Sequence, residues 1–276
     1  MFVLYIDFEY ANKRLSDFDC ITCCIGESSS VTEIDIGCDI TFNAVKNKHT
    51  STHYKTSTSY ENVFSTTFEI MKNPCGKNQK DIYMKTTEVR ALTKWLNRRE
   101  YRKFKPICSN GELSDICYYG SFNVKEKTIN DNIVGLVLIF TSNSPYGFGE
   151  EIHYSASISS ENNVIHMFGD SDEADYTIYP KVKIKCLSDG DLKIVNNTTN
   201  NVVLVKNCKS NENITIDGEH KIILTDNENH TTLPSDFSYT YFDIQVDEFF
   251  SKNEYEFSIP CELEVSYYPI RKVGLI

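Results

Sequence analysis

The chain has 276 residues, a formal net charge of −11 and 40% hydrophobic residues, enough for ordinary buried cores in two domains. Residues 1–150 balance at 18 Lys and Arg against 18 Asp and Glu, so residues 151–276, with 10 against 21, carry the whole excess. That acidic half repels nucleic acid, and no run approaches the roughly 20 apolar residues that span a bilayer, so neither nucleic-acid binding nor membrane insertion is expected.

The apolar start, residues 1–6, meets Asp7 with no basic stretch before it, which is not the pattern of an export signal. The ten cysteines are therefore read as free thiols in a reducing cytosol. Residues 2–10 and 31–45 alternate apolar and polar, as half-buried antiparallel strands do. Residues 46–62, rich in Lys, His, Thr and Ser, read as a long exposed loop or hairpin tip. Phe64, Thr66, Phe68 and Ile70 resume strand character, and Asn73-Pro74-Cys75-Gly76 is a turn.

The spacing predicts a helix over 88–104 with Thr86 or Thr87 as its N-cap. Val89, Leu92, Trp95 and Leu96 make its apolar stripe. Arg90, Lys94, Arg98, Arg99, Arg102 and Lys103 make a basic outer face, crowded toward the C-terminal end as the helix dipole favours. Strands are expected at 106–109, 113–122 and 133–141, and a domain boundary near 150. Beyond it, short strands at 163–168, 176–184, 191–196, 202–206, 213–217, 221–225, 237–244, 254–259 and 262–268 alternate with turns, the pattern of a β-sandwich.

Few constellations carry chemistry. Cys20-Ile-Thr-Cys23 lacks the second pair that a zinc site needs, and reads as small buried thiols. His49 and His53 lack the glutamate of a metalloprotease helix. The acidic run Asp170, Asp172, Glu173 and Asp175 fails the calcium-loop template at Ala174 and Lys181. The glycosylation sequons within Asn196-Asn197-Thr198-Thr199, at Asn213 and at Asn229 mean little without secretion. No phosphate loop, dinucleotide fingerprint or nucleophile elbow occurs. No catalytic residue, metal ligand or cofactor is assigned.

Two patches resemble a known family. Thr87-Glu88-Val89-Arg90-Ala91-Leu92-Thr93-Lys94-Trp95-Leu96-Asn97 looks like the Arg-x-Leu/Ile-x-x-Trp-Leu helix of the distal tail proteins of long-tailed bacteriophages. Gly135 with Leu136 to Phe140, then Thr141-Ser142-Asn143-Ser144-Pro145-Tyr146, is similar to the strand closing that family's N-terminal domain. Asn207-Cys208, the stretch Asn213 to Gly218, and Tyr267-Tyr268-Pro269-Ile270-Arg271 resemble the C-terminal sandwich of some members.

The resemblance implies a mainly β protein. Residues 1–150 would be a ring-forming β-barrel or sandwich with one α-helix, and residues 151–276 a galectin-like or carbohydrate-module-like β-sandwich. It implies a non-enzymatic virion component at the tail tip, assembled in the host cytoplasm. Six copies would form a ring that joins the tail tube protein to the tail-associated hub protein and the receptor-binding protein. A closed ring needs a contact between two different patches, and Arg90, Arg98, Arg99 and Arg102 are the candidate subunit-interface residues. Two other readings compete. One is a carbohydrate-binding module acting in adhesion to the cell surface, with Tyr239, Tyr241, Phe242, Tyr255 and Tyr267 available as stacking platforms. The other is a hydrolase whose site would be a concave pocket of perturbed titratable groups.

Overall fold

A computed structural model describes residues 5–23, 39–46, 51–59, 63, 65–78, 81–108, 111, 113–173, 176–247 and 252–272. The chain divides into two compact units, Met1–Gly149 with Arg271–Ile276, and Glu150–Ile270. The architecture is mainly β throughout, with one helix longer than two turns among the described residues.

The first unit contains β1 (Tyr5–Tyr10), β2 (Lys13–Arg14), β3 (Cys20–Cys23), β4 (Asp39–Lys46), β5 (Ser51–Ser59), β6 (Ser65–Lys72), α1 (Thr86–Leu96), β7 (Arg102–Cys108), β8 (Tyr118–Ile129), β9 (Asn132–Ser142) and β10 (Gly147–Phe148). Seven of these make one antiparallel sheet in the order β2-β1-β7-β8-β9-β6-β3. Its two edge strands, β2 and β3, are separated in sequence only by the 3-10 turn Leu15–Phe18 and Asp19. Those few residues span at most roughly 20 Å even when extended, and a 3-10 turn rises only ~2 Å per residue, so the sheet must curl until its edges meet. The Asn73 N–H donates to the Asp19 carbonyl at 2.8 Å, which extends the β3–β6 ladder by one step into the β2–β3 connection.

The barrel interior is aromatic. Phe8, Phe68, Phe104, Phe122 and Phe140 lie within 4.4–6.4 Å of one another, ring to ring, along a continuous chain of contacts. Period-two burial on β1, β6, β7, β8 and β9 supplies these rings from one face of each strand. Gly120 permits the packing: a Cβ there would collide with the Thr141 carbonyl and lie 2.5 Å from the Phe140 ring.

Of the loop or hairpin tip expected over 46–62, the Ser51–Ser59 stretch is instead the return strand of a hairpin, and residues 47–50 lie outside the described residues. The strand is paired with β4 from Asp39↔Ser59 to Lys46↔Ser51 as a separate two-stranded sheet. Threonine-rich polar segments satisfy a ladder as well as apolar ones when the partner strand is adjacent in sequence. The expected strand over 31–45 is described only from Asp39, and His49 lies outside the described residues.

The second unit contains β11 (Ile152–Ile158), β12 (Val164–Phe168), β13 (Tyr176–Ile178), β14 (Lys181–Cys186), β15 (Gly190–Asn196), β16 (Asn201–Cys208), β17 (Asn213–Asp217), β18 (Ile222–Thr225), α2 (Leu233–Asp236), β19 (Ile244–Val246), β20 (Lys252–Phe257) and β21 (Cys261–Tyr267). A five-stranded sheet, β11-β21-β14-β17-β18, and a four-stranded sheet, β12-β20-β15-β16, enclose one apolar core, with the ribbon β13-β19 beside them. This is the sandwich that the turn spacing predicts.

Three strand expectations need correction here. The expected strand 176–184 is broken at Tyr179-Pro180, because proline cannot donate to a ladder. The expected strand 237–244 is irregular up to Asp243, whose side chain and carbonyl serve the β15–β16 turn instead. Thr199 Oγ1 and Asn201 Nδ2 each donate to its carboxylate at 2.8 Å, and the Tyr255 hydroxyl donates to its carbonyl at 2.7 Å. β11 is a strand that the turn spacing did not predict, although Ile152, Tyr154, Ala156 and Ile158 alternate with exposed His153, Ser155 and Ser157.

Candidate functional site

The basic surface of the first unit begins on α1. Glu88 starts the helix: its carboxylate accepts the Lys85 N–H at 2.8 Å and the Lys72 ammonium at 2.6 Å, which ties α1 to β6. Partial burial pushes the Glu88 carboxyl up, but these two donors outweigh it and hold it below the usual range. The N-cap is Lys85, one residue before the expected threonines. Val89, Leu92, Trp95 and Leu96 all face the core. Trp95 stacks on Phe18 at 4.5 Å and on Phe8 at 5.6 Å, and its indole N–H donates to the Tyr10 carbonyl at 2.8 Å. The helix therefore lies across the aromatic barrel interior.

The expected helix over 88–104 stops at Leu96. Asn97 leaves helical geometry, and from Phe104 onward burial follows the period-two pattern of β7. Of the four candidate interface residues, only Arg90 is on the helix. Arg98 and Arg99 lie in the bend after it, and Arg102 opens β7. All four are exposed. Arg98 Nε donates to the Trp95 carbonyl at 2.9 Å, satisfying one of the open acceptors at the helix end. Arg102 pairs with Glu100 at 2.6 Å. Both Arg98 and Arg102 act on Tyr10, whose hydroxyl is raised by burial and only partly brought back by the two cations. Arg90, Lys94 and Arg99 make no ion pair among the described residues. The basic surface is therefore a helix flank plus the helix-to-strand bend, and of its six cations only Arg102 has an ion pair among the described residues.

The second unit carries a shallow groove of about 410 Å³ on the outer face of the five-stranded sheet. Ser155 and Ser266 are its small residues, Glu151, His153, Lys181, Lys183 and Glu264 its charged or titratable ones, and Tyr154 its aromatic ring. None of Tyr239, Tyr241, Phe242, Tyr255 or Tyr267 lines it. Phe242, Tyr255 and Tyr267 are core residues, and Tyr241 packs its ring against the Lys221 ammonium at 4.6 Å.

A buried charge cluster was not visible in the sequence. His230 Nδ1 lies 2.7 Å from Glu212 Oε1, and its Nε2 lies 3.3 Å from Asp236 Oδ2. Glu212 also accepts from Thr225 Oγ1 at 2.6 Å and from the Lys209 N–H at 2.8 Å. Burial alone would neutralise both partners, yet the hydrogen bonds dominate. Glu212 is held below the usual carboxylate range and His230 above the usual imidazole value. Glu212 and His230 lie in two loops and Asp236 ends α2, and no short motif joins them. With every acceptor occupied from within, the cluster staples the 226–237 segment to β17 rather than presenting a reactive group.

The CxxC spacing resolves on β3. Residues three apart on a strand point to opposite faces, and Cys20 is buried while Cys23 is half-exposed. No group of three or more His, Cys, Asp or Glu among the described residues is arranged to hold a metal ion.

Known proteins match both halves of the chain. The family described as "Phage tail protein N-terminal domain" matches residues 5–144, and "Phage tail C-terminal domain" matches residues 146–267. No curated protein sequence matches. Among solved structures, the Dit protein (gp 19.1) of phage SPP1, titled a paradigm of the hub adsorption apparatus in phages infecting Gram-positive hosts, is 11% identical. It superposes with a TM-score of 0.60 over 96% of this chain and 99% of its own. The activated baseplate of phage p2 contains a chain 8% identical, with a TM-score of 0.46, over 95% of this chain and 97% of that one. The two family matches cover almost the whole length between them, and the SPP1 match shares the fold from end to end: the chain belongs to the phage tail proteins built from this N-terminal and C-terminal domain pair.

Proposed function

We propose that the protein is a distal tail protein. Six copies of the first unit form a ring that continues the tail tube and joins it to the tail-associated hub protein and the receptor-binding protein. Assembly takes place in the host cytoplasm, and the finished protein resides at the virion tail tip. The role is structural and needs no catalytic group.

The observation that carries the reading is the end-to-end correspondence, helix-bearing barrel first and sandwich second, with a tail-hub protein of nearly equal extent. The uncompensated cations Arg90, Lys94 and Arg99 support it, because a heterologous ring contact needs a patch that meets a different patch on the next copy. Rim charges each contribute little, roughly 0–1 kcal/mol, so the effect is collective.

Light scattering should give a particle of six subunits for the parent protein. Reversing Arg90, Lys94 and Arg99 together to Glu should weaken assembly by an order of magnitude or more, since like charges across an interface cost several kcal/mol. Arg98 and Arg102 are left intact because they bond within their own fold. A parent that stays monomeric at every concentration counts against the ring. A triple variant that assembles like the parent frees the basic surface from any role in it. Carbohydrate binding by the second unit is a second reading, favoured by the polar groove across β11, β21 and β14. The aromatic platforms expected for it are absent from the groove lining, so it stands behind the ring.

A further inference from the structure

We propose that β11 is a pairing edge for a second copy of this chain, so that two sandwiches join strand to strand in one continuous sheet. β11 is the outermost strand of the five-stranded sheet. The ladders beside it fix where its backbone groups point. The Cys186 N–H donates to the Glu212 carbonyl at 2.9 Å and the Cys186 carbonyl accepts the Asn211 N–H at 2.7 Å, so Cys186 turns its backbone toward β17. The Leu187 N–H donates to the Pro260 carbonyl at 3.0 Å, on the β21 side. Cys186 pairs with Cys261, and Cys261 with Ile158, in ladders that run without a bulge. Alternation then decides every residue of β11. Ile152, Tyr154, Ala156 and Ile158 bond to β21, while His153, Ser155 and Ser157 direct their N–H and carbonyl groups away from it. Among the described residues, those outward groups enter no turn or side-chain hydrogen bond.

Proteins shield a sheet edge by keeping it short, by proline, lysine or a bulge, or by laying another segment over it. β11 carries none of the first four: it is seven residues long, its sequence is IHYSASI, and its register is unbroken. The other edges of the sandwich are guarded. β18, at the far side of the same sheet, has four residues, and the Tyr241 hydroxyl donates to the Lys221 carbonyl at its start, at 2.8 Å. On the four-stranded sheet the Ser238 N–H donates to the Leu204 carbonyl of β16 at 2.9 Å, and the Tyr267 hydroxyl reaches the Phe168 carbonyl of β12 at 3.5 Å.

The strand's own pattern selects a second copy as the occupant. Ile152-His153-Tyr154-Ser155-Ala156-Ser157-Ile158 follows one order of apolar and polar residues read from either end. A copy laid antiparallel about a two-fold axis at Ser155 sets Ser155 against its own counterpart. His153 then meets the second copy's Ser157, Tyr154 its Ala156, and Ile152 its Ile158. The pairs at 153, 155 and 157 are the hydrogen-bonded ones, and they use the outward groups of both strands. On the inner face a large ring meets a small side chain, and the half-buried Ile152, Tyr154 and Ala156 gain a neighbour on their uncovered side. No like charges stand opposite each other. Such a contact is isologous, whereas the ring contact is head to tail, so the pairing joins two rings or two free chains and does not rest on the ring reading. Residues 151–276 carry 10 Lys and Arg against 21 Asp and Glu, so repulsion opposes the pair and salt relieves it. A contact made by the arginine surface would respond in the opposite sense.

The experiment is sedimentation of the purified full chain over a rising concentration series, with Ser155→Pro beside the parent. Proline at 155 removes an outward N–H and leaves every bond to β21 in place, as an edge strand tolerates. At the upper end of the series the parent's particle mass should reach twice that of Ser155→Pro, and added salt should bring the doubling to lower concentration. The ratio reads the same whether the base particle is six subunits or one, so a failed pairing and a failed ring are separate results. In a second measurement Ser155→Cys is oxidised at high concentration and its peptides are mapped. Two copies joined through residue 155 are expected, since directly opposed residues of an antiparallel pair lie within disulfide reach. Equal masses at every concentration and salt overturn the proposal. So does cross-linking that maps only to other cysteines, and this result stands even where Ser155→Pro fails to fold.

Discussion

His230 is buried between two carboxylates, and its charge decides how the second unit responds to pH. Its folded value is raised above 6.5, so the stability it contributes is fully present below 6.5 and is lost as pH climbs through the raised value. Glu212 and Asp236 are lowered from 4.5 and 3.8, so their contribution is present above those values and fades as pH falls through the depressed ones. Thermal unfolding of the sandwich should therefore peak between 4.5 and 6.5 and decline on the alkaline side. His230→Leu should flatten that alkaline decline and cost about 3–5 kcal/mol at pH 6, because Glu212 is left as a buried charge without its cation. A variant with the parent's pH profile would show that the imidazole is neutral in the fold. In the first unit the equivalent single residue is Trp95. Trp95→Ala removes the ring stacked on Phe8 and Phe18 and leaves the Tyr10 carbonyl without its donor, and should cost about 3–5 kcal/mol in denaturant melts. An unchanged midpoint would mean that α1 does not seal the barrel.

Elements were legible in the sequence where one residue period ran uninterrupted. The stripe of α1 is such a case, and its four apolar positions are all buried. Its end was not legible, because Arg98, Arg99, Arg102 and Lys103 continue the polar side of a helix as well as they open a strand. Only the buried Phe104 and Pro106 show where period two takes over. β11 escaped because Ser155, Ala156 and Ser157 are weak strand formers, so its fit depends on β21 rather than on propensity. The 237–244 stretch misled in the opposite sense: Phe237 and Phe242 are buried while Tyr239 is exposed, on irregular backbone held by Asn201 side-chain bonds to the Tyr241 carbonyl and the Asp243 carboxylate. The candidate surface was legible as residue types and not as a grouping. Nothing in the spacing of Arg98 says that its guanidinium turns back to the Trp95 carbonyl. Likewise Glu212 and His230 meet only in the fold, since no motif in the sequence joins them.

At the scale of the molecule the two units keep separate cores. The first draws its buried apolar residues from positions 8–140 and the second from positions 158–267. A fragment of residues 150–270 should accordingly unfold in urea as one cooperative transition, with His230 still setting its pH response. A fragment with no cooperative transition would show that the sandwich borrows stability from the barrel. The ladders also set an order of events during synthesis. β8 and β9 meet across Ile129 and Asn132 as soon as both are made, but β1 waits for β7, where Glu9 pairs Lys105, and β11 waits for β21, where Ile152 pairs Tyr267. Each unit thus begins with a strand whose edge stays open until most of the unit has left the ribosome, which makes closure slow and the nascent edge prone to mispairing. The barrel's last sheet strand ends at Ser142, so the barrel closes while the sandwich is still being translated.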